Sequence, residues 1–114
     1  MIAREEFSVE QLEQIERGIE LGVEVSLYAN PLFNRYQMME ILNGLRLGLD
    51  VSWYAQPEFA LDQMEVIKGG LEDGLDVSLY AKPELTAEEM EKIYDELIQQ
   101  QDKDMENIKL LLNL

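Results

Sequence analysis

Four residues of one short segment combine chemistries that protein recognition uses often. An aromatic ring, a thioether, an amide and a guanidinium follow one another at spacings of three, four and three residues: Tyr36, Met39, Asn43 and Arg46. Side chains three or four positions apart share one face of a helix. Aromatic residues, methionine and arginine are enriched at the centres of protein interfaces. We therefore predict that this face, extended by Leu32 and Arg35, binds a partner protein.

Carboxylates in ordered rows are the second feature that could act on another molecule. Acids recur at or beside the same helical registers elsewhere in the chain: Glu10, Glu13, Glu20, Asp62, Glu65, Glu72 and Asp73. Such rows on a rigid body could compete with DNA or RNA phosphates for a basic groove. The second hypothesis is therefore a nucleic-acid mimic, of the anti-CRISPR or anti-restriction type. The alternative for this acidic face is a solvated surface that only confers solubility.

The overall composition excludes several classes of function. The chain has 24 acidic and nine basic residues, and its net charge of −15 argues against direct binding to nucleic acid or anionic membranes. A basic partner protein fits this charge better. The absence of Cys and His removes thiol, disulfide and histidine chemistry and the usual zinc sites. Asp102 and Asp104 lack the other ligands of a calcium loop. Because no acid pair has metal-ligand spacing and no glycine-rich loop fits a phosphate, we expect no enzyme, cofactor or metal.

A 26-residue repeat must position these side chains. The motif Tyr-Ala-x-Pro begins at Tyr28, Tyr54 and Tyr80, and glycines recur in step with it at two registers. We interpret residues 1–114 as one repeat domain with units 2–27, 28–53, 54–79 and 80–101 and a C-terminal capping helix, 102–114. One unit cannot bury its own apolar stripe, so the units must stack. The predicted fold is all-α, a short α-solenoid of a long helix plus a short helical turn in each unit.

Capping and periodicity predict the long helices. Ser8, Asn34 and Thr86 precede Gln11, Gln37 and Glu89 by three residues, which is the spacing of a capping box, whereas Ala60 departs from it. Apolar residues follow a helical stripe from Leu12 through Ile15 to Ile19 and at the equivalent later positions. The glycines at positions 22, 48 and 74 fit a left-handed helix end. Those at 18, 44 and 70 indicate close approach to a neighbouring unit.

Two segments leave alternatives open. The run Val-Ser-x-Tyr-Ala before each proline predicts an α or 3₁₀ turn, with a strand as the alternative. Its tyrosines fit an inter-repeat core, or else a ligand groove with Trp53. The C-terminal segment with Met105, Ile108, Leu111 and Leu112 predicts an amphipathic helix that caps the array. Its alternative is homodimerisation, which would make the protein a homo-oligomeric structural module.

The repeat pattern resembles a known kind of sequence. The units read Phe-x4-Met-x2-Ile-x2-Gly-Leu-x2-Gly-Leu-Asp-Val-Ser-x-Tyr-Ala-x-Pro. This resembles short tandem repeats of uncharacterised proteins from gut bacteria and their phages or conjugative elements. The resemblance implies no activity. It implies a mobile-element accessory protein, a class that includes inhibitors of host defence nucleases.

The second unit differs from its sister units where we place the partner site. Residues 28–53 contain two acidic and two basic residues, whereas segments 2–27, 54–79 and 80–114 each have a net charge of −5. Leu32, Tyr36 and Met39 stand where the other three units have acids. Drift on a tolerant surface, or a contact inside the chain, is the alternative. Without a signal peptide or an apolar run of membrane length, we expect a cytoplasmic protein.

Overall fold

All regular structure in residues 4–112, which the computed structural model describes, is helical. Four α-helices, α1 (Val9–Leu21), α2 (Arg35–Arg46), α3 (Leu61–Glu72) and α4 (Ala87–Leu111), alternate with 3₁₀ turns at Arg4–Glu6, Val25–Leu27, Val51–Trp53 and Val77–Leu79. Each α-helix packs against the next in order, and the array measures 60 × 30 × 17 Å. The predicted all-α repeat fold is confirmed.

The Val-Ser-x segments are 3₁₀ turns, which excludes the strand alternative. The carboxylate of Asp50 accepts a hydrogen bond from the backbone N–H of Ser52, and Asp76 accepts one from Ser78, at 3.2 Å each. These short side chains favour turns because they satisfy backbone groups two residues further along. The equivalent Glu24 makes no such cap to the backbone.

Capping boxes start the helices as predicted. At α2, Asn34 accepts a hydrogen bond from the N–H of Gln37, and Gln37 Oε1 accepts one from the N–H of Asn34, at 2.9 Å each. At α3, Ala60 keeps only the second half of this exchange. The carboxylate of Asp62 replaces the missing cap and accepts the N–H of Gln63 at 2.8 Å. Backbone N–H groups at the start of α3 therefore have hydrogen-bond acceptors, although this unit lacks a polar residue at the N-cap.

Left-handed glycines end the first three α-helices. The φ angles are 74° at Gly22, 74° at Gly48 and 71° at Gly74. The N–H groups of the next residues return to carbonyls of the last turn, and Val23 donates to Gly18 at 3.1 Å. This is the Schellman pattern that the sequence predicts.

A tyrosine locks each of these helices to the turn that follows it. Tyr28, Tyr54 and Tyr80 are fully buried, and their hydroxyls donate to main-chain carbonyls fourteen residues earlier at 2.7, 2.8 and 2.9 Å. Each ring tip lies directly over a mid-helix glycine. A Cβ on Gly44 would overlap the hydroxyl of Tyr54 and lie 2.7 Å from Val51 Cγ1.

The tyrosines therefore belong to the core, and no ligand groove runs along them. The close approach predicted for the mid-helix glycines is present. The ring that lies on Gly44 belongs to Tyr54, at the start of the neighbouring unit 54–79, whereas the valine that also contacts this glycine lies on the turn of its own unit, 28–53.

Glutamines at the third helical position connect successive units. Gln11 Nε2 donates to the carbonyl of Phe33 at 2.6 Å, and Gln37 does the same to Phe59 at 2.7 Å. Gln63 repeats the contact to Leu85 at 2.6 Å. Each amide thus caps its own helix with its oxygen and bonds the next unit with its nitrogen. The capping-box spacing predicts only the first of these roles.

The core is a row of apolar side chains repeated from unit to unit. Fully buried members include Ile15, Met38, Ile41, Met64, Ile67 and Met90. Ile19 is an exception to the predicted stripe, because it is 59% exposed whereas the equivalent Leu45 and Leu71 are half-buried. Only the short Arg4–Glu6 turn precedes α1 in the described chain, so no helix covers this position.

Three changes in the fourth unit prevent another unit from docking as the others do. Glu89 replaces the bridging glutamine, and a carboxylate has no N–H to donate. Glu96 replaces the glycine on which a tyrosine would lie. Gln100 replaces the left-handed glycine, so the helix does not end there. The last unit thereby presents a polar side, as terminal repeats require.

The C-terminal segment differs from the predicted capping helix 102–114. α4 continues without a break to Leu111, and every residue from 99 to 112 is exposed. Gln99, Gln100 and Gln101 are good helix formers, so nothing separates α4 from the segment predicted as a helix of its own. Residues 113 and 114 lie outside the described chain.

Substituting the two adjacent glycines of α3 tests the tyrosine lock. Gly70→Ala places a methyl against Tyr80 and Val77, so we expect unfolding free energy to fall by about 2 to 4 kcal/mol. Gly69→Ala is the control, because its methyl would lie 3.9 Å from Tyr94 and should stabilise by up to about 1 kcal/mol. Urea denaturation measures both. Equal effects of the two substitutions would contradict the lock.

Exchanging amide and carboxylate tests the glutamine bridge. Gln37→Glu removes the donor to Phe59 inside the array, and we expect a loss of about 1 to 3 kcal/mol. Glu89→Gln is the control, since its exposed side chain keeps its acceptor for the N–H of Thr86 and should change stability by less than about 0.5 kcal/mol. Chemical denaturation at neutral pH reports both changes. Similar values for the two would show that the bridge carries no stability.

Alkaline titration tests the burial of the tyrosines. Burial raises the pKa of Tyr28 to about 12 and raises the pKa values of Tyr54 and Tyr80. The folded protein therefore retains protons that the unfolded chain loses near pH 10. We expect the free energy of unfolding to hold below pH 10 and to fall from there to about pH 12. Tyrosinate absorbance measures the ionisation of the tyrosines as the pH rises, and circular dichroism measures the helicity. Ionisation of every tyrosine near its ordinary pKa while the helicity stays intact would refute the prediction.

Candidate protein-interaction surface

The predicted partner residues lie together on α2 and the loop before it. We call Leu32, Arg35, Tyr36, Met39, Asn43 and Arg46 the α2 surface. Leu32 is 74% exposed, Tyr36 49% and Met39 37%. Both arginines are exposed and Asn43 is half-buried. Because Leu32 is 74% exposed and Tyr36 49%, no loop of the described chain covers either side chain.

An arginine holds the aromatic ring of this surface in place. Arg35 Nη2 donates to the hydroxyl of Tyr36 at 2.6 Å, and its guanidinium carbon lies 4.7 Å from the ring centre. The hydrogen bond to Tyr36 raises the pKa of Arg35, and the charges of Glu10 and Glu13 act in the same direction. The hydrogen bond and the cation–π contact thus restrain the ring of Tyr36 on the surface of α2.

The C-terminal end of the α2 surface borders a shallow groove toward α3. Asn43, Arg46, Leu47 and Lys68 line it. Leu47 is 58% exposed and extends the apolar part of the surface, although it is not among the residues predicted from the sequence. Its signal in the sequence is weak, because the first unit also has a leucine at this register, Leu21.

The inner face of α2 anchors the surface to the core. Met38, Ile41 and Leu42 are buried beneath it. Leu42 occupies the register at which other units have the charged residues Glu16 and Lys68. α2 therefore has more buried apolar contact than its sister helices. Recognition residues on a well-packed helix keep their positions better than residues on a loop.

The predicted acidic face is divided into two parts by α2. Glu10 and Glu13 lie on α1 near Arg35, and Glu20 is exposed on the same helix. Asp62 and Glu65 line a groove between α3 and α4. Carboxylates thus flank the α2 surface on both sides, and no continuous row crosses it.

Two of the predicted acids are held by contacts within the chain. Glu72 accepts an ion pair from Lys68 at 3.1 Å, and Glu40 pairs with the same ammonium at 3.4 Å. Burial alone would lower the pKa of Lys68, but the two carboxylates raise it. Asp73 accepts a hydrogen bond from the hydroxyl of Tyr94. Glu72 and Asp73 therefore take part in helix packing. Lys68 offsets part of the charge of Glu72, whereas Asp73 keeps its charge beside the neutral hydroxyl of Tyr94.

Trp53 stands apart from the buried tyrosines. It lies on a 3₁₀ turn and is 40% exposed, as are Leu27 at 39% and Leu79 at 50% on the equivalent turns. These three residues form an apolar row that the sequence analysis did not predict. Trp53 is the largest side chain of this row, and it lies in the second unit, whose outer surface is also the most apolar of the four units.

The described residues contain no candidate metal site and no membrane-spanning helix. Across residues 4–112, no three acids lie close enough together to hold a metal ion. No helix in that range is both long and apolar enough to cross a bilayer.

Comparisons with models of known families, with curated proteins and with solved structures find no match to this chain. The resemblance to mobile-element repeats therefore stays a prediction.

Proposed function

We propose that the protein is a non-enzymatic interaction module that binds a partner protein through the α2 surface. The supporting observation is the exposure of Tyr36 and Met39 on a well-packed helix whose sister helices carry carboxylates at these registers. An exposed tyrosine provides a large contact area at little conformational cost, and a methionine can adapt its shape to a partner. An exposed apolar group surrounded by charge is typical of a binding site.

The acids beside the α2 surface define the partner that fits. Glu10 and Glu13 on one side and Asp62 and Glu65 on the other would face the rim of the bound protein. We therefore propose a partner with an apolar pocket for Tyr36 surrounded by Lys or Arg. Complementary charge at a rim accelerates association, whereas the buried centre supplies most of the affinity.

Nucleic-acid mimicry is the competing proposal, and the position of α2 argues against it. Mimicry needs carboxylates at regular intervals across the whole face. The α2 surface interrupts them with Arg35 and Arg46, and Glu72 is paired with Lys68. The two proposals differ in salt dependence, since a mimic depends on many charge contacts and a central apolar contact does not.

Site-specific crosslinking identifies the partner and tests the surface together. A photo-reactive residue at position 39, expressed in the source organism, should capture one dominant protein. The control has the same residue at position 91, the equivalent and exposed position of α4, one unit beyond the acids proposed to face the partner's rim. We expect capture at position 39 and little at position 91. Equal capture at both positions would place the interface elsewhere.

Affinity measurements on the captured protein give the quantitative test. The double substitution Tyr36→Ala, Met39→Ala should weaken binding by about 100-fold, a usual effect of removing hot-spot side chains. Glu65→Ala, Asp62→Ala is the matched pair in α3 and should change affinity by less than about fivefold. Unchanged affinity after loss of Tyr36 and Met39 would refute the proposal. Mimicry would be favoured if the affinity fell steeply with salt concentration and if this salt dependence were lost on substitution of the acids but not of Tyr36 and Met39.

A further inference from the structure

The face of α4 that packs on α3 continues beyond the end of α3. Tyr94 and Gln101 both contact Asp73 at the end of α3, and Gln101 Nε2 donates to its main-chain carbonyl at 3.0 Å. The same helical face carries further residues at alternating spacings of four and three: Tyr94, Ile98, Gln101, Met105, Ile108 and Leu112. α3 ends at Glu72, so the last three of these residues extend past the helix they would pack on.

This continuation is apolar and has no partner within the described chain. We call residues 102–112 the overhang. Met105 is 53% exposed, Ile108 48% and Leu112 62%, and every residue of the overhang is classed as exposed. A helix with one apolar face and no neighbour is stabilised when a second helix covers that face.

We infer that the overhang pairs with the overhang of a second copy of this chain, in antiparallel orientation. A parallel pair would bring residues 94–101 of both copies together, and α3 already covers that part of the face in each copy. In the antiparallel pair the uncovered residues overlap one another, and of the part that contacts α3 only the exposed Gln101, at the edge, takes part. The overhang corresponds to about 16 Å of helix, with Met105 opposite Ile108 of the second copy.

The charges beside the face complement one another in this arrangement. Asp102 and Lys109 lie on the same flank of the stripe, seven residues apart. In an antiparallel pair with twofold symmetry, Asp102 of each copy lies within one turn of Lys109 of the other. The two acidic arrays then point away from each other, which limits repulsion between chains that each carry a net charge of −15.

The contact is small, which sets the expected strength. Three turns of helix bury less than the roughly 1,200 Å² of total area that stable complexes require. Self-association is therefore reversible, with a dissociation constant on the order of 100 µM. Unlike the α2 surface, this contact needs no other protein, so the two proposals can fail independently.

Sedimentation velocity over low micromolar to low millimolar concentration tests the dimer. The native chain should pass from monomer to dimer, and Ile108→Glu should weaken association at least about tenfold. Leu110→Glu is the control, because this leucine is 74% exposed on the opposite side of the same helix and should have little effect. A native chain that stays monomeric, or equal effects of the two substitutions, would overturn the inference. Circular dichroism verifies that both variants keep their helicity.

Cysteine crosslinking tests the orientation, since the chain has no native cysteine. Antiparallel pairing places position 112 opposite position 101 of the second copy. A mixture of Leu112→Cys and Gln101→Cys chains should form the mixed disulfide on mild oxidation. Leu112→Cys alone should not, because its two thiols would be about 16 Å apart along the axis. Rapid self-crosslinking of Leu112→Cys would show parallel pairing and refute the geometry.

Discussion

The contact of a tyrosine ring with a bare helix backbone is the constraint on which this fold depends. Tyr54 reaches across Gly44, and its hydroxyl donates to the carbonyl of Glu40. This bond fixes the position of the 3₁₀ turn against its own helix. The 3₁₀ turn then directs the chain toward the start of the next helix, where the side-chain amide of Gln37 donates a hydrogen bond to the carbonyl of Phe59. Two polar contacts per unit thus set the stacking geometry, and the apolar row fills the space between.

Much of the fold follows from local signals that the sequence carries. Capping residues such as Asn34 and left-handed glycines such as Gly48 act within a few residues of themselves, so spacing alone locates the helix ends. The acceptors of Tyr28 and Gln11 lie 14 and 22 residues away, and no spacing rule specifies which carbonyl they reach. At the C-terminus the amphipathic helical segment is present, but the prediction of a separate capping helix from residue 102 was wrong. Amphipathicity indicates that a helix has an apolar face, but not whether another part of the chain covers that face.

The candidate surface could be predicted because the repeat provides its own comparison. Charged residues at equivalent positions mark an outer face, so the apolar replacements Tyr36 and Met39 had to be exposed if the units stack alike. Two features needed coordinates. The contact between Arg35 and Tyr36 depends on rotamers, and Leu47 occupies a register where leucine also occurs in the first unit. Division of the acids by α2 likewise follows only from the order in which the helices pack.

The stop signals of the fourth unit have a bearing on how such a chain could change length over evolutionary time. Every link between units joins residues of one unit to the next, and the three residues that terminate the series all lie after position 88. An in-frame gene duplication of residues 54–79 would supply its own tyrosine, glycines and glutamine and leave the terminus intact. The architecture can thus lengthen by whole modules of 26 residues, and each new module is free to diverge on its outer face.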